Sequence, residues 1–136
     1  MLRRIVAVPL VALATAVAAC GSGNDAQTSA ISAQAAKASV EKSAHIKLAP
    51  QQVPAEAREE GLKSAFSNTG TAIKDGQAVV LLLLEDGDVA GKVGDYLKGS
   101  VPEPSRLIVK DNVMVVYAPV GGKDRTAQVE RAVKAL

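Results

Sequence analysis

Few residues in this chain have the type and spacing that chemistry requires, and they fall in three places. The first is Cys20, the only cysteine among 136 residues. A thiol becomes a nucleophile or metal ligand when it ionises, which needs a cation or base beside it. His45, the only histidine, lies far downstream in a polar stretch and is expected to be solvated. The second place is the turn Glu85-Asp86-Gly87-Asp88. The carboxylates of Glu85, Asp86 and Asp88 are oxygen ligands of the kind Ca²⁺ and Mg²⁺ take. The third is Gly121-Gly122-Lys123, which runs through Asp124 and Arg125 to Thr126 and is similar to a phosphate-binding loop.

Each has a plainer reading. The acidic turn carries no glutamate at the later position an EF-hand requires, and Lys92 stands close by. It follows a strongly apolar run, where open α/β sheets often hold ligands, but a helix cap and turn is the favoured account. A phosphate loop needs an earlier glycine and a Ser or Thr directly after its lysine. Here Val116 and Tyr117 stand where that glycine belongs, and Asp124 follows Lys123. Gly121, Gly122 and Lys123 therefore read as a solvated turn, with an incidental anion site at the next helix start as the alternative. Glu56, Glu59 and Glu60 read as partners of a helix's positive end. One histidine and one cysteine exclude His/Cys-rich zinc sites and Ser-His or Cys-His catalysis. No catalytic residue, metal or cofactor is expected.

The elements that must position these residues begin with the amino terminus. Arg3 and Arg4 precede Ile5 to Ala19, which is apolar apart from Thr15. Fifteen residues are short for a membrane-spanning helix, which needs ~20, and fit the apolar part of a secretory signal. Val17-Ala18-Ala19-Cys20 resembles the lipobox of bacterial lipoproteins: an aliphatic residue, two small residues and a cysteine. Valine stands where leucine is commonest in that class. The resemblance covers this segment alone and implies that Cys20 receives a diacylglyceryl group, with further acyl chains such as palmitate. Cleavage before Cys20 would make it the mature amino terminus, on the outer face of the cell membrane. Gly21 rather than Asp follows. The Ala/Val/Gly/Arg-rich composition is similar to that of small lipoproteins of high-GC, actinomycete-like bacteria. Two acyl chains hold a small domain stably where one does not. Without the lipid, a lone exported cysteine would be a free thiol or an intermolecular disulfide.

Loss of Arg3 and Arg4 leaves 14 basic and 14 acidic side chains. A neutral protein without basic runs has no electrostatic case for nucleic acid.

Beyond Cys20, the Ser/Ala/Gln/Gly-rich stretch to about Ala49 reads as a flexible tether, with transient helix over Ala33 to Lys42. His45 to Leu48 alternates like a short edge strand. Pro54 opens a helix carrying Leu62, Ala65 and Phe66 on one stripe and a Glu59–Lys63 pair, stopped by Asn68 to Gly70. Ala78 to Leu84 is an apolar run of strand length bounded by turn residues, expected to be buried on both faces. Asp88 caps a helix to Lys98, with Val89, Val93, Tyr96 and Leu97 on one face. Leu107 to Val109 and Val113 to Tyr117 form a hairpin across Lys110-Asp111-Asn112. Asp124 opens the last helix, with Val129, Ala132, Val133 and Leu136 inward and Glu130 paired with Lys134.

The resulting expectation is an α+β domain in the order α-β-α-β-β-α. A three-stranded mixed sheet, four-stranded if residues 44–48 join, is covered by about three helices. The run from Ala78 to Arg106 is expected to be a parallel strand-helix-strand unit. Residues 1–19 are the signal peptide, 20–52 the lipidated cysteine and tether, and 53–136 the domain. The function expected is that of a non-enzymatic envelope lipoprotein, held to the membrane by Cys20 and meeting an envelope protein or its own copy. The alternatives are a small-ligand or divalent-metal binding lipoprotein, and an accessory subunit of a membrane enzyme or transporter.

Overall fold

A computed structural model of the chain describes residues 30–121 and 124–136. In chain order the elements are α1 (Ala33–Ala44), β1 (Ala49–Gln51), α2 (Ala55–Glu59), β2 (Leu62–Ser67), a 3-10 turn (Thr69–Thr71) leading into α3 (Ala72–Asp75), β3 (Gln77–Leu84), α4 (Gly87–Leu97), β4 (Arg106–Lys110), β5 (Val113–Pro119) and α5 (Thr126–Lys134).

The apolar run becomes β3, the central strand of an α+β fold. The sheet has five strands in the order β1-β2-β3-β5-β4, and every neighbouring pair is antiparallel. The expected three- or four-stranded mixed sheet is thus corrected, and five helices surround it rather than three. No parallel pair forms between β3 and β4, because β5 lies between them. The hairpin is the cause. Asp111 adopts the left-handed conformation at φ 51°, which a short turn needs and Asp tolerates. The chain folds back at once, and the long β5 aligns with β3 from Gln77–Pro119 to Leu83–Val113.

Alternation along the strands feeds two cores. On one face Val79, Leu81, Leu83, Ile108, Val113, Val115 and Tyr117 pack against Ala36, Val40 and Ala44 of α1 and Val129 and Val133 of α5. On the other, Leu84 and Met114 are covered by Ala90 of α4, with Leu62, Leu82, Val89, Val93, Leu97 and Leu107 around them.

The described part of the expected tether is instead an integral element. Ser32 caps α1 by accepting a hydrogen bond from the Ala35 amide at 3.1 Å. Lys37 and Glu41 pair at 3.2 Å across one turn, and His45 ends the helix in the left-handed conformation. Ala36, Val40 and Ala44 recur every fourth residue and are fully buried. Small side chains let α1 lie close, which is why its face is Ala-rich rather than Leu-rich. The chain is secured further upstream by Asn112. Its carboxamide accepts from the Ile31 amide at 2.7 Å and donates to the Ile31 carbonyl at 3.0 Å. The folded unit therefore starts by Ile31, not residue 53. Residues 44–48 do not join the sheet; Ile46 and Leu48 are buried in the larger core and β1 follows them.

The helix expected from Pro54 through Phe66 is also corrected. It stops at Glu59, because Gly61 takes φ +104° and a β-carbon there would stand 2.8 Å from Val89 Cγ1. Only glycine meets both demands. Beyond it the chain is extended as β2, so Glu59 and Lys63 are not helical neighbours. In α4 the cap is Asp86 rather than Asp88, and Tyr96, expected on the inner face, is 82% exposed. In α5 the expected face and the Glu130–Lys134 pair, at 3.2 Å, are both present.

Candidate functional site

Of the residues singled out from sequence, Cys20 with Val17, Ala18 and Ala19, and also Gly122 and Lys123, lie outside the described residues. Gly121 turns the chain at φ +116°. Asp124 then places a carboxylate at the start of α5, accepting from the Thr126 hydroxyl at 2.6 Å and the Thr126 amide at 3.0 Å. The hydroxyl bond first, and the amide bond second, hold its pKa below the usual aspartate value. A charged carboxylate at that helix entrance opposes an anion there.

Glu85, Asp86 and Asp88 are exposed, and Asp86 spends one oxygen on the Val89 amide at 2.9 Å. They form the expected cap and turn. Among the described residues no group of three or more His, Cys, Asp or Glu side chains could hold a metal ion. His45 is exposed. It borders an open cleft of about 740 Å³ with Lys42, Lys47 and Lys74, where Glu41 and Asp75 supply the opposite charge. Burial works to raise the Glu41 pKa, but bonds from the Leu48 amide and Lys37 outweigh it and lower it. Thr71 and Asn68 hold the Asp75 carboxyl low. The cleft is electrostatically mixed.

A polar relay that the sequence does not reveal is buried under α1 and α5. Gln77, 2% exposed, donates to the Ala44 carbonyl at 2.8 Å and accepts from the Tyr117 hydroxyl. That hydroxyl accepts in turn from the Arg125 amide at 2.8 Å. Burial pushes the Tyr117 pKa above the usual tyrosine value. Unfolded tyrosine ionises near ~10, so this contribution to stability is whole below that pH and is lost as pH rises toward the folded value. Urea midpoints should fall steeply above about pH 10, with a shallower fall in Tyr117→Phe. Identical slopes would remove the relay from the account. The relay joins α1, β3, β5 and the start of α5 through buried groups, so its role is to hold the fold.

The sheet's two edges differ in a way that bears on function. β1 is three residues long and contains Pro50, two features that blunt an edge. β4 is five residues long, without proline, and among the described residues no strand lies beyond it. Its outer edge forms the floor of a groove of about 350 Å³, walled by α4 through Gly91, Gly94 and Asp95 and by α5 through Glu130 and Lys134. Gly94 sets the depth. A β-carbon there would stand 3.1 Å from Val109 Cγ2, so glycine lets α4 lie tight on the strand. Val109 is 38% exposed.

Charge surrounds this apolar floor. Arg106 and Lys134 share Glu130, at 3.4 and 3.2 Å. Lys98 and Lys110 have no carboxylate partner among the described residues. A second apolar surface lies on the sheet face that α4 leaves uncovered. There Ala65, Ala78, Val80, Val116 and Ala118 are half-buried and belong to neither core. It offers only small side chains and no unpaired backbone.

The chain matches no protein-family model, no curated protein and no solved structure.

Proposed function

We propose that this chain is a lipid-anchored lipoprotein of the cell envelope whose domain is a non-enzymatic protein-interaction module. The observation that carries the interaction is the unpaired edge of β4 at the floor of a groove between two helices. A free edge presents a row of backbone donors and acceptors ready to pair with another chain. The anchoring rests on the resemblance of Val17 to Cys20 to a lipobox. Only ten residues lie between Cys20 and the clamp at Ile31, a reach of at most about 40 Å when extended. The domain would then work close to the headgroups, among other membrane-bound proteins. The exposed, capped acidic turn does not favour the metal-binding alternative. An accessory subunit of a membrane enzyme or transporter is the same reading with the partner specified.

Two measurements in the producing cell test it. Cys20→Ser should leave the membrane fraction, and an unchanged, signal-cleaved membrane pool would refute the anchor. A photocrosslinker in place of Val109 should give a discrete adduct with another protein, absent when the crosslinker replaces exposed Glu56. Failure to form any adduct at Val109 would refute the module.

A further inference from the structure

We infer that the outer edge of β4 takes up an extended peptide segment carrying acidic residues on both sides of an apolar centre, as an added strand. The inference rests on the proposed interaction module and specifies its partner's chemistry.

The strand reads Arg106-Leu107-Ile108-Val109-Lys110, basic at each end and apolar between. Side chains directly opposite one another in a strand pair attract or repel according to sign. A partner with carboxylates at both ends of an apolar core meets Arg106 and Lys110 in either direction, parallel or antiparallel. Lys98 on one wall, like Lys110, has no carboxylate partner among the described residues. With Arg106 and Lys134 these basic groups outnumber the two carboxylates of the groove, Asp95 and the Glu130 that Arg106 and Lys134 share. The apolar centre would lie beside Leu107 and Val109, against α4 where Gly94 keeps the helix low.

The same pattern excludes the simplest rival. Two copies of β4 paired antiparallel about Ile108 would set Arg106 opposite Lys110 at both ends of the ladder. Like charges directly opposed are destabilising, and charged residues on an edge are a standard guard against edge-to-edge association. A second copy of this chain is the wrong occupant, and an acidic segment the right one.

The probe is a fluorescein-labelled peptide Ser-Glu-Leu-Val-Val-Glu-Ser, compared with Ser-Lys-Leu-Val-Val-Lys-Ser and with a Ser-Glu-Leu-Pro-Val-Glu-Ser control. Anisotropy with the full chain in detergent should show the acidic probe bound at least about tenfold more tightly than the lysine probe. The proline control should bind about tenfold more weakly than the parent, because it removes a backbone donor. Hydrogen exchange should show new protection confined to the β4 amides. The double variant Arg106→Glu/Lys110→Glu should invert the preference and bind the lysine probe, a gain that an unfolded variant would not show. Equal binding of the two probes, binding of neither, protection away from β4, or a preference that survives the reversal would each overturn the inference. If a Val109 crosslink to a protein persists while the acidic probe fails, the charge assignment falls and the interaction module stands. If the acidic probe binds β4 while no crosslink forms in the cell, the edge chemistry holds and the cellular reading falls.

Discussion

Val40→Asp is expected to abolish cooperative folding of the entire domain. Val40 is fully buried, with Ala36 and Ala44 one turn to either side. Across from them stand Val129 and Val133 of α5 and the strand residues of the same core. A carboxylate placed there has no basic or hydrogen-bonding partner. It must ionise in an apolar site or fold protonated, and either costs several kcal/mol. A domain of this size has only about 5–10 kcal/mol of stability to lose. Circular dichroism and urea denaturation check the result, with Ala35→Asp, exposed on the same helix, expected within about 0.5 kcal/mol of wild type. If Val40→Asp unfolds at the wild-type urea midpoint, α1 is not part of the core and the domain begins later in the chain.

Gln77→Ala should be nearly as damaging, by about 3–5 kcal/mol, through a different mechanism. The substitution removes a side chain that is 2% exposed and leaves a void. It also strips the Ala44 carbonyl of its Gln77 donor and the Tyr117 O–H of its acceptor, the hydroxyl keeping only the bond it accepts from the Arg125 amide. An unsatisfied buried group costs more than the net worth of the bond it made. A double-mutant cycle with Tyr117→Phe isolates the relay. The two losses should fall short of additivity by about 1 kcal/mol or more, as for residues in one hydrogen-bond network. Strict additivity would mean that Gln77 and Tyr117 stabilise the fold independently.

What could be read from the sequence follows from how local each signal is. β3 announces itself as a run of large aliphatic residues between turns. The β4–β5 hairpin is written in Lys110-Asp111-Asn112, and α5 in the spacing of Val129 and Val133. The features that fail to show are those decided by distant partners. α1 carries only alanine and one valine as apolar residues among polar and charged ones, a composition that reads as transient helix in a tether until α5 stands beside it. In β2, Leu62, Ala65 and Phe66 fit a helical stripe as well as a strand. The choice is made by Gly61, whose backbone must clear Val89, a residue far along the chain. The position of β5 between β3 and β4 has no local signature, since either strand order satisfies the same apolar pattern. The same holds for the candidate site. The acidic turn and the glycine turn are conspicuous as motifs, yet the first caps a helix and the described part of the second turns the chain. The groove at β4 could not be found without the strand order, because only that order makes Arg106–Lys110 an edge. The signal present was its flanking charge, Arg106 and Lys110, about an apolar triplet.

The packing of α1 against α5 also governs the order of events when the chain folds. The first described helix finds its burial on the last, and Asn112 holds Ile31 across a separation of 81 residues. Nothing that emerges early has a finished surface to settle on. Loop closure over nearly the whole domain must precede the contacts that reward it, so the native structure waits for the carboxyl-terminal end. Under the proposed export, that delay would keep the chain threadable until its final turn is out.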